Sequence, residues 1–219
     1  MNDWSIVVPV RGGAGKSRLV VPGVDRAELA RSIGIDTIVA ARECRAVARV
    51  IVVTSDTLIA EALPEHCEVV TDPGTGLNGA VTAGLAATDP ARPRAAMLGD
   101  LPALRSDHLS MVLDAARGED AGALADAEGT GTTLITRTAA GTLSPAFGAG
   151  SFARHLAAGF SDLAPALVTD DGRPGAWTAR RDVDTIEQLR AAARLGLGIR
   201  TAALWQVATA GQGAASSVA

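Results

Sequence analysis

The sequence has 219 residues, of which 47% are hydrophobic and 20% are charged, a composition that excludes global disorder and supplies one sizeable core. The 20 basic residues are outnumbered by 24 acidic ones, and the net charge of −4 argues against nucleic acid as a partner. Charged residues interrupt every long apolar run, two cysteines are too few for a disulfide framework, and the N-terminus has no basic leader. We therefore expect a soluble cytoplasmic protein with no membrane partner.

The first part of the chain alternates short apolar runs with helical stretches. The patterns predict strands at residues 5–10, 49–54, 67–71 and 94–98. They predict helices at about residues 25–47, at 57–63 and from Asn78 onward. Strands separated by helices of this length indicate parallel β-α-β crossovers and therefore a three-layer α/β fold.

After a helix near residues 107–116 the pattern changes. Strands are predicted near residues 122–125, 132–136, 167–169 and 178–182, with a short helix after Ser151 and another at 185–195. We interpret this part as a lid or acceptor region built onto the carboxyl edge of the sheet. No linker divides the chain, so residues 1–204 are predicted to form a single domain. The small, polar segment 205–219 is predicted to be a disordered or loosely packed tail.

The composition draws attention to two residues. Lys16 is the only lysine among the 20 basic residues, and Asn78 is one of only two asparagines, whereas alanine, arginine and glycine are abundant. Where almost every replaceable lysine and asparagine has been lost, the survivors indicate positions at which arginine or aspartate does not serve. Both residues are therefore candidates for a function.

The first candidate site is the glycine-rich segment VRGGAGKSR at residues 10–18, which follows a buried strand. Its backbone N–H groups, with Lys16 and Arg18, are suited to phosphates. The phosphate loop of an NTPase is an alternative, but Val10 occupies the position of that motif's first glycine. Pro22 and Gly23 also interrupt the helix that such a loop needs, at a cost of about 3 and about 1 kcal/mol. An ordinary glycine-rich turn is the second alternative.

The second candidate is Asp100, which follows the apolar run at residues 95–98. A carboxylate at the carboxyl end of a central parallel strand lies in the crevice where open α/β sheets bind ligands. Burial of such a charge requires a compensating cation or several N–H donors, so a metal site is predicted. The alternative is a helix cap, although Ser106 and Asp107 are better placed to cap the next helix.

Asp182 and Asp184 form the third candidate. Residues two apart on an extended segment face the same side, so these carboxylates share one space. A divalent hard cation such as Mg²⁺ relieves their repulsion. Asp184 alternatively serves as the N-cap of the following helix, with Glu187 three residues on, and the two roles are compatible.

The fourth candidate combines GTGTT at residues 129–133 with PAFGAGSFARH at residues 145–155. Its hydroxyl groups, glycine N–H groups and the helix start at Ser151 are suited to a phosphorylated carboxylate, and Arg154 and His155 are expected to add positive charge. A flexible glycine- and serine-rich loop is the alternative.

Taken in order, these motifs resemble the guanylyltransferases that load phosphoenolpyruvate or 2-phospho-L-lactate in biosynthesis of the deazaflavin coenzyme F-420. The resemblance covers roughly residues 5–204 and rests on VPVR…GKSRL, DTIVAA, VVTSD, LNGAV, GDLPAL, GTGTT, FGAGSFARH, DVDT and LGLGIRTAAL. It implies a nucleotidyltransferase fold of the glycosyltransferase-A type, a single α/β domain with a central, mostly parallel sheet.

The resemblance also implies roles for individual residues. The Mg²⁺ ligands would be Asp100, Asp182 and Asp184. The acceptor phosphate and carboxylate would be bound by Thr132, Gly148 and Ser151. The GTP phosphates would meet the glycine-rich loop at Gly12, Gly13, Gly15 and Lys16, with Asn78 near the nucleoside. Lys16, Arg18 and Asp100 would be the catalytic residues. Arg11 stands where the family often has lysine, which weakens any role that requires a compact ammonium there.

The implied reaction is attack by a phosphate oxygen of the acceptor on the α-phosphorus of GTP, with pyrophosphate as the leaving group. This nucleophile is already anionic near neutral pH and needs no general base. His66, His108 and His155 accordingly form no triad with a nucleophile, and the first two are expected at the surface. A related enzyme that uses CTP or a sugar phosphate, and a non-catalytic nucleotide-binding protein, are the alternatives.

Overall fold

The computed structural model describes residues 3–12, 18–138, 140–167 and 175–216. The strands within them are Trp4–Pro9 (β1), Val47–Val53 (β2), Cys67–Val70 (β3), Arg94–Met97 (β4), Ala121–Ala125 (β5), Thr132–Arg137 (β6) and Ser161–Asp162 (β7). The helices are Arg26–Glu43 (α1), Thr57–Glu61 (α2), Leu77–Ala86 (α3), Ser106–Ala116 (α4), Ser151–Ala157 (α5), Ile186–Leu195 (α6) and Ile199–Ser216 (α7).

The strands form one sheet in the order β3-β2-β1-β4-β6-β5-β7. The first four in this order are parallel, β6 is antiparallel to both of its neighbours, and β7 is parallel to β5. Every residue of β1 is buried, which matches its largely apolar sequence and requires cover on both faces of the sheet. The predicted α/β fold with a central, mostly parallel sheet is confirmed.

Two hydrophobic clusters occupy the two faces of the sheet. Ile6 and Val8 of β1 pack in the cluster that includes residues of α1 and α4, whereas Val7 packs in the cluster that includes residues of α3. This alternation follows from the two-residue period of a strand. Helix α3 lies very close to the sheet, since a Cβ at Gly84 would be 2.3 Å from Val7 Cγ1. The helices therefore hold the strand ends, and the loops that follow them, in fixed positions.

The second part of the chain differs from the prediction. Strands β5 and β6 extend the central sheet itself, whereas we predicted a lid or acceptor region built onto its carboxyl edge. The strand predicted at residues 178–182 is wrong, because Trp177–Ala179 forms a 3₁₀ turn and the chain continues as a loop. Arg180 fixes that loop by donating to the carbonyl oxygens of Ala125 and Asp126. The strand predicted at 167–169 falls almost wholly outside the described residues.

Helix α7 runs past the domain border predicted at residue 204. Asp36 of α1 is buried, and its carboxylate accepts from the backbone N–H groups of Arg200 and Thr201 at 3.2 and 2.8 Å, which satisfies the first turn of α7. The helix reaches Ser216, and Ala208 is buried in a third cluster with residues of α1 and α6. Its alanine-rich sequence, free of proline, explains why it continues. No helix in the described ranges has the length and apolar character to cross a membrane.

Candidate active site

The carboxyl ends of the central strands open into a cleft of about 390 Å³. The predicted site residues that line this cleft are Arg18, Asp100, Thr132, Gly148, Ser151, Asp182 and Asp184. A smaller hollow of about 230 Å³ shares Asp100 and Asp184 with it and extends to Arg11. A larger groove of about 780 Å³ between α1, α4 and α7 contains none of the predicted residues. The 390 Å³ cleft is therefore the candidate active site.

The strand ends bring the carboxylates together. Asp100 follows β4 in a turn that passes tightly over the end of β1, where a Cβ at Gly99 would be 2.4 Å from the carbonyl oxygen of Pro9. The backbone N–H of Val183 donates to the carbonyl oxygen of Asp100 at 3.1 Å. Because Val183 is fully buried, this bond fixes Asp182 and Asp184 on either side of it at the cleft. Asp182 and Asp184 therefore face the same space, as predicted from the sequence, although they lie on a loop and not at the end of a strand.

Asp182 lies in a strongly acidic environment. Burial, together with the charges of Asp100, Asp126 and Asp184, raises the pKa of Asp182 to about 7. Its Oδ1 atom is buried and has no hydrogen-bond partner among the described residues. An ionised carboxylate in such a place requires a cation.

Two further carboxylates belong to this cluster and were missed by the sequence analysis. Carboxylate oxygens of Asp126, Glu128 and Asp182 lie within 4.8 Å of one another. Asp126 directly follows β5, as Asp100 follows β4, so the rule that identified Asp100 would also have identified it. The Asp126 carboxylate accepts from the N–H groups of Thr130 and Gly131, and Glu128 forms an ion pair with Arg181.

The carboxylates at the cleft fit a divalent hard cation, because several oxygen ligands face one space and Asp182 Oδ1 has no hydrogen-bond partner in the described part of the chain. The capping alternative for Asp184 is wrong. Thr185 is the N-cap of α6, its side chain accepts from the Gln188 N–H, and the Gln188 side chain bonds the Thr185 N–H in return. The Asp184 carboxylate instead lies 3.8 Å from the guanidinium of Arg18.

The opposite side of the cleft carries hydroxyl groups and glycines. Thr132 begins β6, and Ser151 begins α5. Gly148 has a φ of +121°, which side-chain-bearing residues rarely adopt. The Oγ atom of Ser151 is buried and has no hydrogen-bond partner among the described residues. The start of α5 was predicted to offer free N–H groups to an anion. The first two of these groups are already bonded, because the N–H groups of Ser151 and Phe152 donate to the carbonyl oxygens of Gly148 and Thr130.

Asn78 and Arg154 hold the loop that carries Gly148. The Asn78 amide donates to the carbonyl oxygen of Phe147 at 3.1 Å and accepts from its N–H at 2.8 Å. Arg154 donates to the carbonyl oxygens of Ala146 and Ala149. Aspartate at position 78 would lack the donor, which explains why an asparagine survives there. Its proposed place near the nucleoside stays a prediction.

His155 is not the added positive charge that we expected. It is fully buried, its Nδ1 atom lies 2.9 Å from Thr132 Oγ1, and its Nε2 atom accepts from the N–H of Ala146 at 3.0 Å. Burial, with a smaller contribution from Arg154, lowers the pKa of His155. Of the other histidines, His66 is exposed as predicted, whereas His108 is half-buried and bonded to Thr178.

The glycine-rich loop is described only at its two ends, because Gly13, Gly15 and Lys16 lie outside the described residues. Gly12 passes beside Asp56 so closely that a Cβ would be 1.7 Å from Asp56 Oδ2. Arg11 forms an ion pair with the carboxylate of Asp72 at 2.8 Å. Arginine at position 11 therefore serves as an anchor for the start of the loop, a role that suits its guanidinium.

Known proteins resemble this chain in sequence and in fold. The family described as "Guanylyl transferase CofC like" matches residues 4–161. The phosphoenolpyruvate guanylyltransferase of Thermomonospora curvata is 47% identical over 208 residues, which cover 92% of this chain and 88% of the relative. The enzyme of the same name from Streptomyces scabiei is 43% identical over 215 residues, which cover 92% and 95%.

Solved structures share the fold at lower identity. A nucleotidyl transferase from Methanothermobacter thermautotrophicus superimposes with a TM-score of 0.56 at 19% identity, covering 89% of this chain and 98% of its own. Rv0371c of Mycobacterium tuberculosis, solved in complex with manganese, gives a TM-score of 0.53 at 19% identity and covers 88% and 98%. The predicted nucleotidyltransferase fold is thereby confirmed, and the matched family and relatives show that this chain belongs to the CofC-like guanylyltransferases.

Proposed function

We propose that this protein transfers GMP from GTP to the phosphate of phosphoenolpyruvate, with release of pyrophosphate, as a step in the biosynthesis of coenzyme F-420 in the cytoplasm. The observation that carries the proposal is the cleft itself, in which a carboxylate cluster faces a wall of hydroxyl groups and glycines. Relatives at 43% and 47% identity bear the name of this activity.

The carboxylates would hold the divalent cation. Asp100, Asp182 and Asp184 line the cleft, and a protein with the same fold was solved in complex with manganese, which supports a divalent metal. We propose Mg²⁺, which binds one or two carboxylates together with substrate phosphates and, when bound, neutralises their charge. Arg18, whose guanidinium lies at the rim beside Asp184, is placed to attract the triphosphate.

The acceptor would lie against Thr132, Gly148 and Ser151. Ser151 Oγ is a buried donor that an anionic oxygen would satisfy, and the positive φ of Gly148 keeps a side chain out of the space beside it. The acceptor phosphate is anionic near neutral pH, so the protein must align it with the α-phosphorus and needs no base. His155 is fully buried and is not among the residues that line the cleft, which agrees with this chemistry.

A phosphorylated acid suits this wall better than a sugar phosphate does. The wall offers hydroxyl groups, whereas recognition of several sugar hydroxyls calls for side chains that accept hydrogen bonds. The amide nitrogen and oxygen of Asn78, near this wall, each form a hydrogen bond with Phe147. The sequence contains no tyrosine that could stack on a sugar ring.

The test is a pyrophosphate-release assay with Mg²⁺ and either GTP or CTP. The acceptors are phosphoenolpyruvate, 2-phospho-L-lactate, 3-phosphoglycerate and mannose 1-phosphate, compared side by side. We expect the fastest turnover with GTP and phosphoenolpyruvate. Fastest turnover with CTP or with mannose 1-phosphate contradicts the proposal, and binding of GTP without pyrophosphate release would indicate a non-catalytic protein.

A further inference from the structure

The hydrogen bonds of His155 determine which of its ring nitrogens carries the proton. Nε2 receives the N–H of Ala146 at 3.0 Å, so this nitrogen presents a lone pair. The ring is enclosed by Phe147 and Phe160, with centroid distances of 5.5 and 5.2 Å, and is fully buried. A neutral imidazole has one N–H, which must therefore be on Nδ1.

The position of this proton sets the direction of the bond to Thr132. Nδ1 lies 2.9 Å from Thr132 Oγ1, so His155 donates and the hydroxyl oxygen accepts. The threonine proton is then not used by His155, and no other described group accepts it. Because Thr132 lines the cleft, its hydroxyl is left with a proton for a bound molecule.

We propose that His155 is a positioning residue, which orients the hydroxyl of Thr132 as a hydrogen-bond donor to the anionic acceptor. This inference rests on the proposed function and adds to it a residue that touches no substrate. With Thr132 held in this way and Ser151 Oγ lacking a protein acceptor, the wall presents two hydroxyl donors. Two donors favour an anionic oxygen over a group that must itself donate.

A second histidine and threonine provide a matched control. His108 Nδ1 lies 2.8 Å from Thr178 Oγ1, so the pair has the same chemistry, but neither residue lines the cleft. Thr178 Oγ1 also accepts from the N–H of Arg105, and His108 Nε2 has no described partner that fixes its proton. His108→Asn should therefore leave both Michaelis constants unchanged.

The first test observes the tautomer directly in the wild-type protein. A long-range ¹H–¹⁵N correlation spectrum of histidine-labelled protein, assigned with His155→Asn, distinguishes the protonated from the unprotonated ring nitrogen. We expect a protonated Nδ1 and an unprotonated Nε2 at neutral pH. A proton on Nε2, or on both nitrogens, overturns the proposal whatever the activity of the protein.

The second test is kinetic. His155→Asn keeps an amide donor close to the position of Nδ1, whereas His155→Phe removes it. We expect His155→Phe to raise the KM for phosphoenolpyruvate about tenfold or more, with His155→Asn nearer the wild type and the KM for GTP unchanged in both. In a Thr132→Val background, His155→Phe should cause little further increase, because the coupled hydroxyl is already absent.

Equal rises in both Michaelis constants, or full additivity of His155→Phe with Thr132→Val, would contradict the positioning role. If His155→Phe does not fold, the spectrum of the wild type still tests the direction of the bond to Thr132. A rise in the KM for phosphoenolpyruvate in His155→Asn as large as that in Thr132→Val would also contradict the role of the Nδ1 donor. Failure of the proposed function looks different: no acceptor would support pyrophosphate release, while the spectrum would still show a protonated Nδ1.

Discussion

The two walls of the cleft differ in charge and in hydrogen bonding. One is the acidic wall, and the other is the acceptor wall of Thr132, Gly148 and Ser151. The acidic wall consists of Asp100, Asp126, Asp182 and Asp184, whose negative charges lie close together. Asp182 Oδ1 has no hydrogen-bond partner among the described residues. The residues that line the acceptor wall are uncharged, and the loop that carries them is held by hydrogen bonds with Asn78, Arg154 and His155. The acidic wall therefore holds its charges at a cost in stability, which a bound cation would remove, whereas the acceptor wall contributes stability without a ligand.

This comparison predicts opposite effects of substitutions on stability. Removal of a charge from the acidic wall should damage activity and spare the fold. Removal of a hydrogen bond from the acceptor wall should weaken both the fold and the binding of the acceptor.

The largest effect is expected for Asp182→Asn, which removes a charge without changing the side-chain volume. We expect turnover to fall by about 100-fold or more, because a metal ligand is lost. The free energy of unfolding in the presence of a chelator should stay the same or rise, as repulsion from Asp100 and Asp126 is relieved. Urea denaturation and the pyrophosphate assay measure the two quantities.

The matched control is Asp107→Asn, which changes an exposed aspartate outside the cleft and should leave turnover unchanged. Turnover of Asp182→Asn within a fewfold of the wild type would remove the acidic wall from the mechanism. A large loss of stability in chelator would contradict the idea that its charges repel one another.

Lys16→Arg is expected to have the next largest effect. The composition argument holds that a sequence so rich in arginine retains lysine where a compact ammonium is needed between phosphates. We expect kcat/KM for GTP to fall roughly 10–100-fold, which corresponds to about 1.4–2.8 kcal/mol. Normal steady-state kinetics for this variant would show that the single lysine has no special role.

Ser151→Ala tests the acceptor wall directly. The hydroxyl is buried without a described partner, so its removal leaves no protein group unsatisfied and should not reduce stability. The KM for phosphoenolpyruvate should rise about tenfold or more while the KM for GTP stays the same, because a charge-assisted bond is worth about 1.5–3 kcal/mol. Thr132→Ala should behave alike in binding. A rise in the KM for GTP instead would place Ser151 at the nucleotide.

Asn78→Asp is the opposite kind of substitution to Asp182→Asn, because it adds a negative charge, here beside the acceptor wall. The carboxylate cannot donate to the carbonyl oxygen of Phe147, so the loop loses a hydrogen bond and gains a repulsive contact. We expect a loss of about 1–3 kcal/mol in the free energy of unfolding, measured by urea denaturation. Unchanged stability would show that the loop does not depend on this amide.

Local sequence patterns predicted much of this architecture. Apolar runs gave the strands of the parallel half, and the position of Asp100 after such a run placed it at the cleft. The antiparallel β6 was not foreseen as part of the central sheet, because strand direction depends on partners distant in the chain. Asp126 directly follows β5 and therefore fits the same strand-end rule, although the sequence analysis did not identify it.

Side-chain partners were the least predictable feature. Asn78 bonds Phe147, 69 positions away, and nothing in its local sequence identifies that partner. His155 was expected to add positive charge to the acceptor site, yet it lies on the buried face of a short helix. The cap of α6 is Thr185, with Gln188, because this pair satisfies N–H groups reciprocally. Whether a polar side chain is charged and which partner it bonds depend on its burial. Burial is a property of the whole fold and is not visible in the local sequence.

The smallest expected effect concerns pH and the acceptor wall. Burial lowers the pKa of His155, and the neighbouring Arg154 lowers it further, so the folded protein binds a proton at this ring less readily than the unfolded chain. As the pH falls through about 6.5, the imidazole is protonated in the unfolded chain but not yet in the folded protein. The free energy of unfolding therefore decreases. The slope cannot exceed about 1.4 kcal/mol per pH unit for one histidine.

His155→Asn should therefore flatten the decline in stability between pH 7 and 5, measured by urea denaturation at each pH. His108→Asn should flatten it too, since burial also lowers the pKa of His108, but should leave the KM for phosphoenolpyruvate unchanged. An identical pH dependence in wild type and His155→Asn would mean that the ring takes up protons in the folded state, which would contradict a neutral His155 behind the acceptor wall.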